Sequence, residues 1–149
     1  MVRRLVFLSV SLGCALLLAA CGGGTKTTPF VGQVFSRAPV AKCLRSHGFT
    51  TSTSEKDMNF IAYTATGGGL RAWKPKKHRK VDLILAFGAD GEDAKATMTA
   101  VKRFALRSPI FRFRLRRANA VILWGYRPSA ANKALLFSCL NYSVGKSAS

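Results

Sequence analysis

Residues 110–117 read IFRFRLRR, and AVILWGY follows at 120–126. Phe111, Phe113 and Leu115 alternate with Arg112, Arg114 and Arg116. A strand puts the apolar side chains on one face and the guanidinium groups on the other, and no helical register does. Arg117-Ala118-Asn119 makes the turn that brings AVILWGY back as the partner strand. A hairpin with one apolar face must bury that face, and helices packed on an antiparallel sheet are a simple way to do so.

The rest of the chain supplies matching pieces. In VDLILAF, residues 81–87, Val81, Leu83, Leu85 and Phe87 alternate. With LRAW before it, this predicts a second hairpin with the basic loop KPKKHRK, 74–80, at its tip. Residues 91–107 read as a helix. Glu92 and Asp93 sit in its first turn, where the dipole favours acids, and Lys102, Arg103 and Arg107 lie toward its end. Ala94, Met98, Val101 and Ala105 form its apolar stripe, and Pro109 stops it. Ser129 caps a last helix through about Asn141, on which Ala131, Leu135 and Cys139 share a face.

Upstream, APVAKCLRSH at 38–47 reads as a helix with Val40, Cys43 and Leu44 on its inner face. Gly48 provides its left-handed stop and Phe49 the hydrophobic partner. Residues 55–65 fit two registers. A strand would point Phe60, Ala62 and Thr64 inward. A helix is preferred, because Ser54 and Asp57 have capping-box spacing and Gly67-Gly68-Gly69 would end it. The expected fold is α+β: a small four-stranded, mainly antiparallel sheet in ββα-ββα order, with helices on one face, preceded by one or two helices.

The start of the chain sets a location. Arg3 and Arg4 precede an apolar run from Leu5 to Ala20, too short for an ordinary membrane-spanning helix. Leu18-Ala19-Ala20-Cys21 closes that run and resembles the lipobox of bacterial lipoproteins. The resemblance implies a signal peptide over 1–20, cleavage before Cys21, and lipid attached to the Cys21 sulfur. The protein would then sit on the extracytoplasmic face of the cell membrane. Two acyl chains on one cysteine suffice for stable anchoring. GGGTKTTPFVGQ, 22–33, has little to bury and reads as a tether of roughly 20 Å. One domain, 34–149, remains.

Charge is the outlying feature of the composition. The chain has 24 Lys+Arg against 6 Asp+Glu, a formal net charge of +18. All six acids, Glu55, Asp57, Asp82, Asp90, Glu92 and Asp93, lie between 55 and 93. Such imbalance favours fast, salt-sensitive association with polyanions. Two features could carry it: the loop Lys74, Lys76, Lys77, Arg79 and Lys80, and the stripe Arg112, Arg114 and Arg116. If the apolar side of the hairpin packs on helices, the stripe faces outward on an open sheet, joined by Arg71 and Trp73 through alternation along their strand.

The cysteines that follow Cys21 are Cys43 and Cys139, one near each end of the exported domain. In an oxidising compartment an even pair reads as a disulfide, here linking the first and last helices. These cysteines and the two histidines, His47 and His78, do not present a close zinc-ligand pattern, so no metal is expected. No G-x-S-x-G, H-E-x-x-H, P-loop or G-x-G-x-x-G occurs, and no cofactor or catalytic residues are assigned. Asp90, Glu92 and Asp93 are explained as helix-start charges. Neither basic feature matches a nucleic-acid module, so nucleic acid is not an expected partner.

These features point to a lipid-anchored, non-enzymatic envelope protein that contacts anionic lipid or a cell-wall polymer. The rival is an interaction module for another envelope protein, with the charge incidental. An extracytoplasmic enzyme is a third reading for which the sequence offers no residues.

Overall fold

The computed structural model describes residues 33–74, 81–105 and 113–144. The expected signal segment, the Leu18-Ala19-Ala20-Cys21 motif, the expected tether through residue 32 and the tip of the basic loop lie outside them. In chain order the elements are α1 (Arg37–Ser46), β1 (Thr50–Ser52), α2 (Phe60–Tyr63), β2 (Gly69–Lys74), β3 (Val81–Phe87), α3 (Gly91–Ala105), β4 (Phe113–Arg117), β5 (Ala120–Trp124) and α4 (Ala130–Val144). The ββα-ββα order therefore holds from β2 to α4. None of the described helices is long and apolar enough to cross a membrane.

The sheet is antiparallel throughout, but it has five strands rather than four, in the order β1-β2-β3-β5-β4. The added strand, β1, is the polar tripeptide Thr-Thr-Ser paired along β2, Thr51 opposite Ala72. With no apolar side chain it has no alternation to read. Tertiary contacts place it: Arg45 of α1 donates to the Thr51 hydroxyl at 2.8 Å.

Helices cover both faces of the sheet, not one. On one face Val40 and Leu44 of α1 and Leu136, Cys139 and Leu140 of α4 pack against Leu70, Leu83, Leu85, Phe87, Ile122 and Trp124. On the other, Ala62 of α2 and Ala94 and Val101 of α3 pack against Ala86, Val121 and Leu123. All of β5 is buried as a result. A strand buried on both faces loses the apolar–polar alternation of a half-exposed one, and AVILW has none.

Three local devices hold this arrangement. The Gly48 N–H donates to Arg45 O at 2.9 Å and the Phe49 N–H to Leu44 O at 3.1 Å, with Gly48 at φ +78° and Phe49 buried. That is the expected glycine stop of α1. At the start of α3 the Asp90 carboxylate accepts from the Glu92 and Asp93 N–H groups, both at 2.9 Å, and Asp93 accepts from Ala89 N–H at 3.0 Å. The third device is Asn119, 2% exposed, in the β4–β5 turn beside Ala118 at φ +46°. Its amide accepts from Phe35 N–H (2.7 Å) and donates to Phe35 O (3.1 Å) and Gly88 O (2.8 Å). One side chain thus binds the segment that leads into α1, the β3–α3 connection and the last hairpin together.

The single helix expected over 55–65 is broken. Residues 55–57 form one 3-10 turn, Met58 is extended, and α2 is four residues long. Ser54 makes no capping bond. Asp57 instead accepts from the Ser52 hydroxyl, and its carbonyl accepts from Arg71 at 3.0 Å. Asn59 caps α2 by accepting from Ala62 N–H at 2.8 Å. Gly69 begins β2 rather than ending a helix, and a Cβ there would stand 2.6 Å from Ala62 O and from Met58 Sδ. Its lack of a side chain is what lets α2 lie on the sheet. In α4 the buried positions are Leu136, Cys139, Leu140 and Ser143, while Ala131, expected inside, is exposed.

Candidate functional site

The Cys43–Cys139 disulfide is formed, across a Cα–Cα distance of 5.4 Å, and it joins α1 to α4 as expected. Cys139 is fully buried and Cys43 half-buried. His47, one turn beyond Cys43, brings its ring to the same place: one ligand atom from each of the three residues lies within 4.8 Å of the others. The sequence held a signal for this, because Cys43 and His47 stand four residues apart, across the last turn and the cap of one helix.

The basic residues do not form one open face. Lys76, Lys77, Arg79, Lys80 and Arg112, like His78, lie outside the described residues. Lys74 turns back on the fold: its Nζ donates to His47 O at 3.1 Å and stands 5.7 Å from the Phe49 ring centroid. It therefore neutralises the negative end of the α1 dipole. Arg116 donates to Gly91 O, at the start of α3, at 2.9 Å. Arg71 makes a two-pronged pair with Asp82, at 3.0 and 2.8 Å, and lies 5.5 Å from the Trp73 ring centroid. The hydrogen bond to Asp82 holds the Arg71 guanidinium above its usual range, and its charge is compensated. The expected open sheet face is absent because α2 and α3 occupy it.

Arg114 has a different setting. It lines a cleft of about 390 Å3 where edge strand β4 meets the end of β5 and α4. Phe113, Leu115, Trp124 and Phe137 supply its apolar wall and Arg127 and Lys133 its cations, while Arg114, opposite Leu123 in the ladder, stands on the other face of this edge strand. Arg127 and Lys133 are exposed, as is Arg114. No carboxylate lines the cleft. Phe137 is fixed from behind by Arg117, whose guanidinium lies 4.5 Å from the ring centroid and donates to Asn141 Oδ1 at 3.2 Å. Burial lowers the Arg117 pKa from its ordinary value.

Aromatic faces beside guanidinium and ammonium groups suit an anion that also carries an apolar or sugar surface. The sequence indicated Arg114 but not Arg127 or Lys133, because one lies in a loop and the other on a helix. Only the packing of α4 beside β4 brings Arg127 and Lys133 to this edge strand. No family model, curated protein or solved structure matches this chain.

Proposed function

We propose that the protein is a lipid-anchored, non-enzymatic envelope lipoprotein that binds an anionic surface or polymer, with the β4–α4 cleft as its grip. The observation that carries this reading is the cleft itself. Arg127 and Lys133 flank an aromatic wall at the edge strand that carries Arg114, in a part of the chain with no acidic side chain after Asp93. The anchor is expected from the lipobox-like Leu18-Ala19-Ala20-Cys21. A cationic cleft of this kind serves phosphodiester or carboxylate polymers of the wall and anionic lipid headgroups by the same chemistry.

The test is binding of the full chain to polyglycerol phosphate and to phosphatidylglycerol vesicles, at low and high salt. The triple change Arg114→Ser, Arg127→Ser, Lys133→Ser is measured alongside. Affinity should fall steeply with salt, and the triple variant should lose most of it while keeping its circular dichroism spectrum. Unchanged binding by the folded triple variant would remove the cleft from consideration.

A second reading, an interaction module for another envelope protein, draws on Phe60 and Phe104, which are 73% and 64% exposed. Binding through such apolar groups should survive high salt and respond to Phe60→Ser and Phe104→Ser rather than to the cleft changes.

A further inference from the structure

We propose that Cys43, His47 and Cys139 become a zinc site when the Cys43–Cys139 bridge is reduced, so that α1 and α4 remain joined in either redox state. This site is separate from the anion-binding cleft and does not depend on it.

The geometry supplies the ligands. Cys43 lies on α1 and His47 is the residue just past its end, and packing against α4 brings Cys139 to them. The two Sγ atoms and a ring nitrogen lie within 4.8 Å of one another. Ligands of a tetrahedral zinc with thiolate and imidazole donors stand roughly 3.5–3.8 Å apart. Small shifts therefore complete the site, and His47, exposed at the end of α1, has room to make its share.

Access and charge agree. A cleft of about 430 Å3 opens beside Cys43 and His47, lined also by Lys42, Ser46, Ser138 and Tyr142, with Cys139 buried behind Cys43. A metal arrives through it, and its fourth position is left to water. No carboxylate lines this cleft, which disfavours calcium or magnesium, ions that take oxygen ligands. Two thiolates and one neutral imidazole suit a borderline-soft divalent ion. The two thiolates also cancel the ion's charge, so the filled site adds no net charge to a strongly cationic chain.

The chemistry balances with a dithiol as reductant. It gives two electrons and two protons to the bridge, the S–S bond breaks, two thiols form, and the dithiol closes to its own disulfide. Zn2+ then displaces both thiol protons to solvent and binds the neutral His47 nitrogen. Loss of zinc and attack on an oxidising disulfide reverse the sequence.

The test uses the full chain in detergent, with Cys14 and Cys21 present in every variant. The bridge is reduced with a phosphine and the protein is titrated anaerobically with Co2+ and then Zn2+. Reduced wild type should take up about one equivalent more Co2+ than Cys43→Ser/Cys139→Ser, with thiolate-to-cobalt absorption that Zn2+ abolishes. The oxidised protein should show no such excess. His47→Ala should weaken binding by about tenfold or more. Zinc should raise the melting temperature of the reduced wild type but not that of the double serine variant. No excess over the double serine variant would overturn the proposal. So would unchanged affinity in His47→Ala, or a reduced chain that unfolds and does not regain its helical signal with zinc.

Discussion

Replacing Asn119 by alanine should be among the most damaging single changes in this domain. The side chain satisfies three backbone groups, Phe35 N–H, Phe35 O and Gly88 O, and is itself 2% exposed. Each buried group left without a partner costs about 1–3 kcal/mol. The vacated space is about the size of one water, which could restore part of that bonding. The net loss should be about 3–5 kcal/mol, a large share of the 5–15 kcal/mol typical of a folded domain. In urea, followed by the fluorescence of Trp73 and Trp124, the midpoint should fall by roughly 2 M. Hydrogen exchange at the Phe35 amide should accelerate most, because that N–H loses its acceptor directly. Asn119→Asp keeps the acceptor but loses both donors, and places a carboxylate against two carbonyls. Its folded pKa should rise above the unfolded value of about 3.9. The added destabilisation should therefore grow as pH rises through and above that value, and shrink on acidification. A loss below about 1 kcal/mol in Asn119→Ala would show that the three bonds do not fasten the Phe35 segment to the fold.

Other expectations follow from separate features. With a chelator present, Cys43→Ser/Cys139→Ser should lose about 4–5 kcal/mol by chain-entropy reasoning, because the bridge closes residues 96 apart in sequence; denaturant unfolding reads this. Gly69→Ala should cost about 1–3 kcal/mol, since its Cβ would meet the backbone oxygen of Ala62 and force α2 off the sheet. Burial pushes the Tyr126 hydroxyl above its ordinary pKa, so the folded state holds that proton more tightly than the unfolded one. Stability should accordingly fall as pH rises above about 10, and Tyr126→Phe should remove that part of the slope in alkaline unfolding curves. The intact mass of protein extracted from native membranes should fit residues 21–149 plus acyl chains, with two hydrogens gained on reduction. An unmodified mass would set aside the lipid anchor.

The two hairpins, three of the helices and the Cys43–Cys139 pair were legible in the amino-acid sequence, because each is specified by a local rule. Alternation marks β3 and β4, Gly48 and Ser129 mark helix ends, and an even pair of cysteines after a lipobox-like motif marks a bridge. The rest depended on contacts between distant segments. Thr50–Ser52 is a strand only because β2 offers it an edge and Arg45 a hydrogen bond. The helix expected over 55–65 breaks where Arg71, far along the chain, takes the Asp57 carbonyl. Alternation in β3 reports the face under α1 and α4, yet Ile84 and Ala86 on its other face are covered as well. The arginine stripe was visible as a pattern, and Arg114 and Arg116 do share a face, but tertiary packing turned Arg116 to the start of α3 and set Arg127 and Lys133 at the cleft beside the strand. Periodicity reports which side chains share a face. Which faces are covered, and which cations meet, is decided by how helices close on the sheet, and that depends on the volume and hydrogen bonding of the whole core.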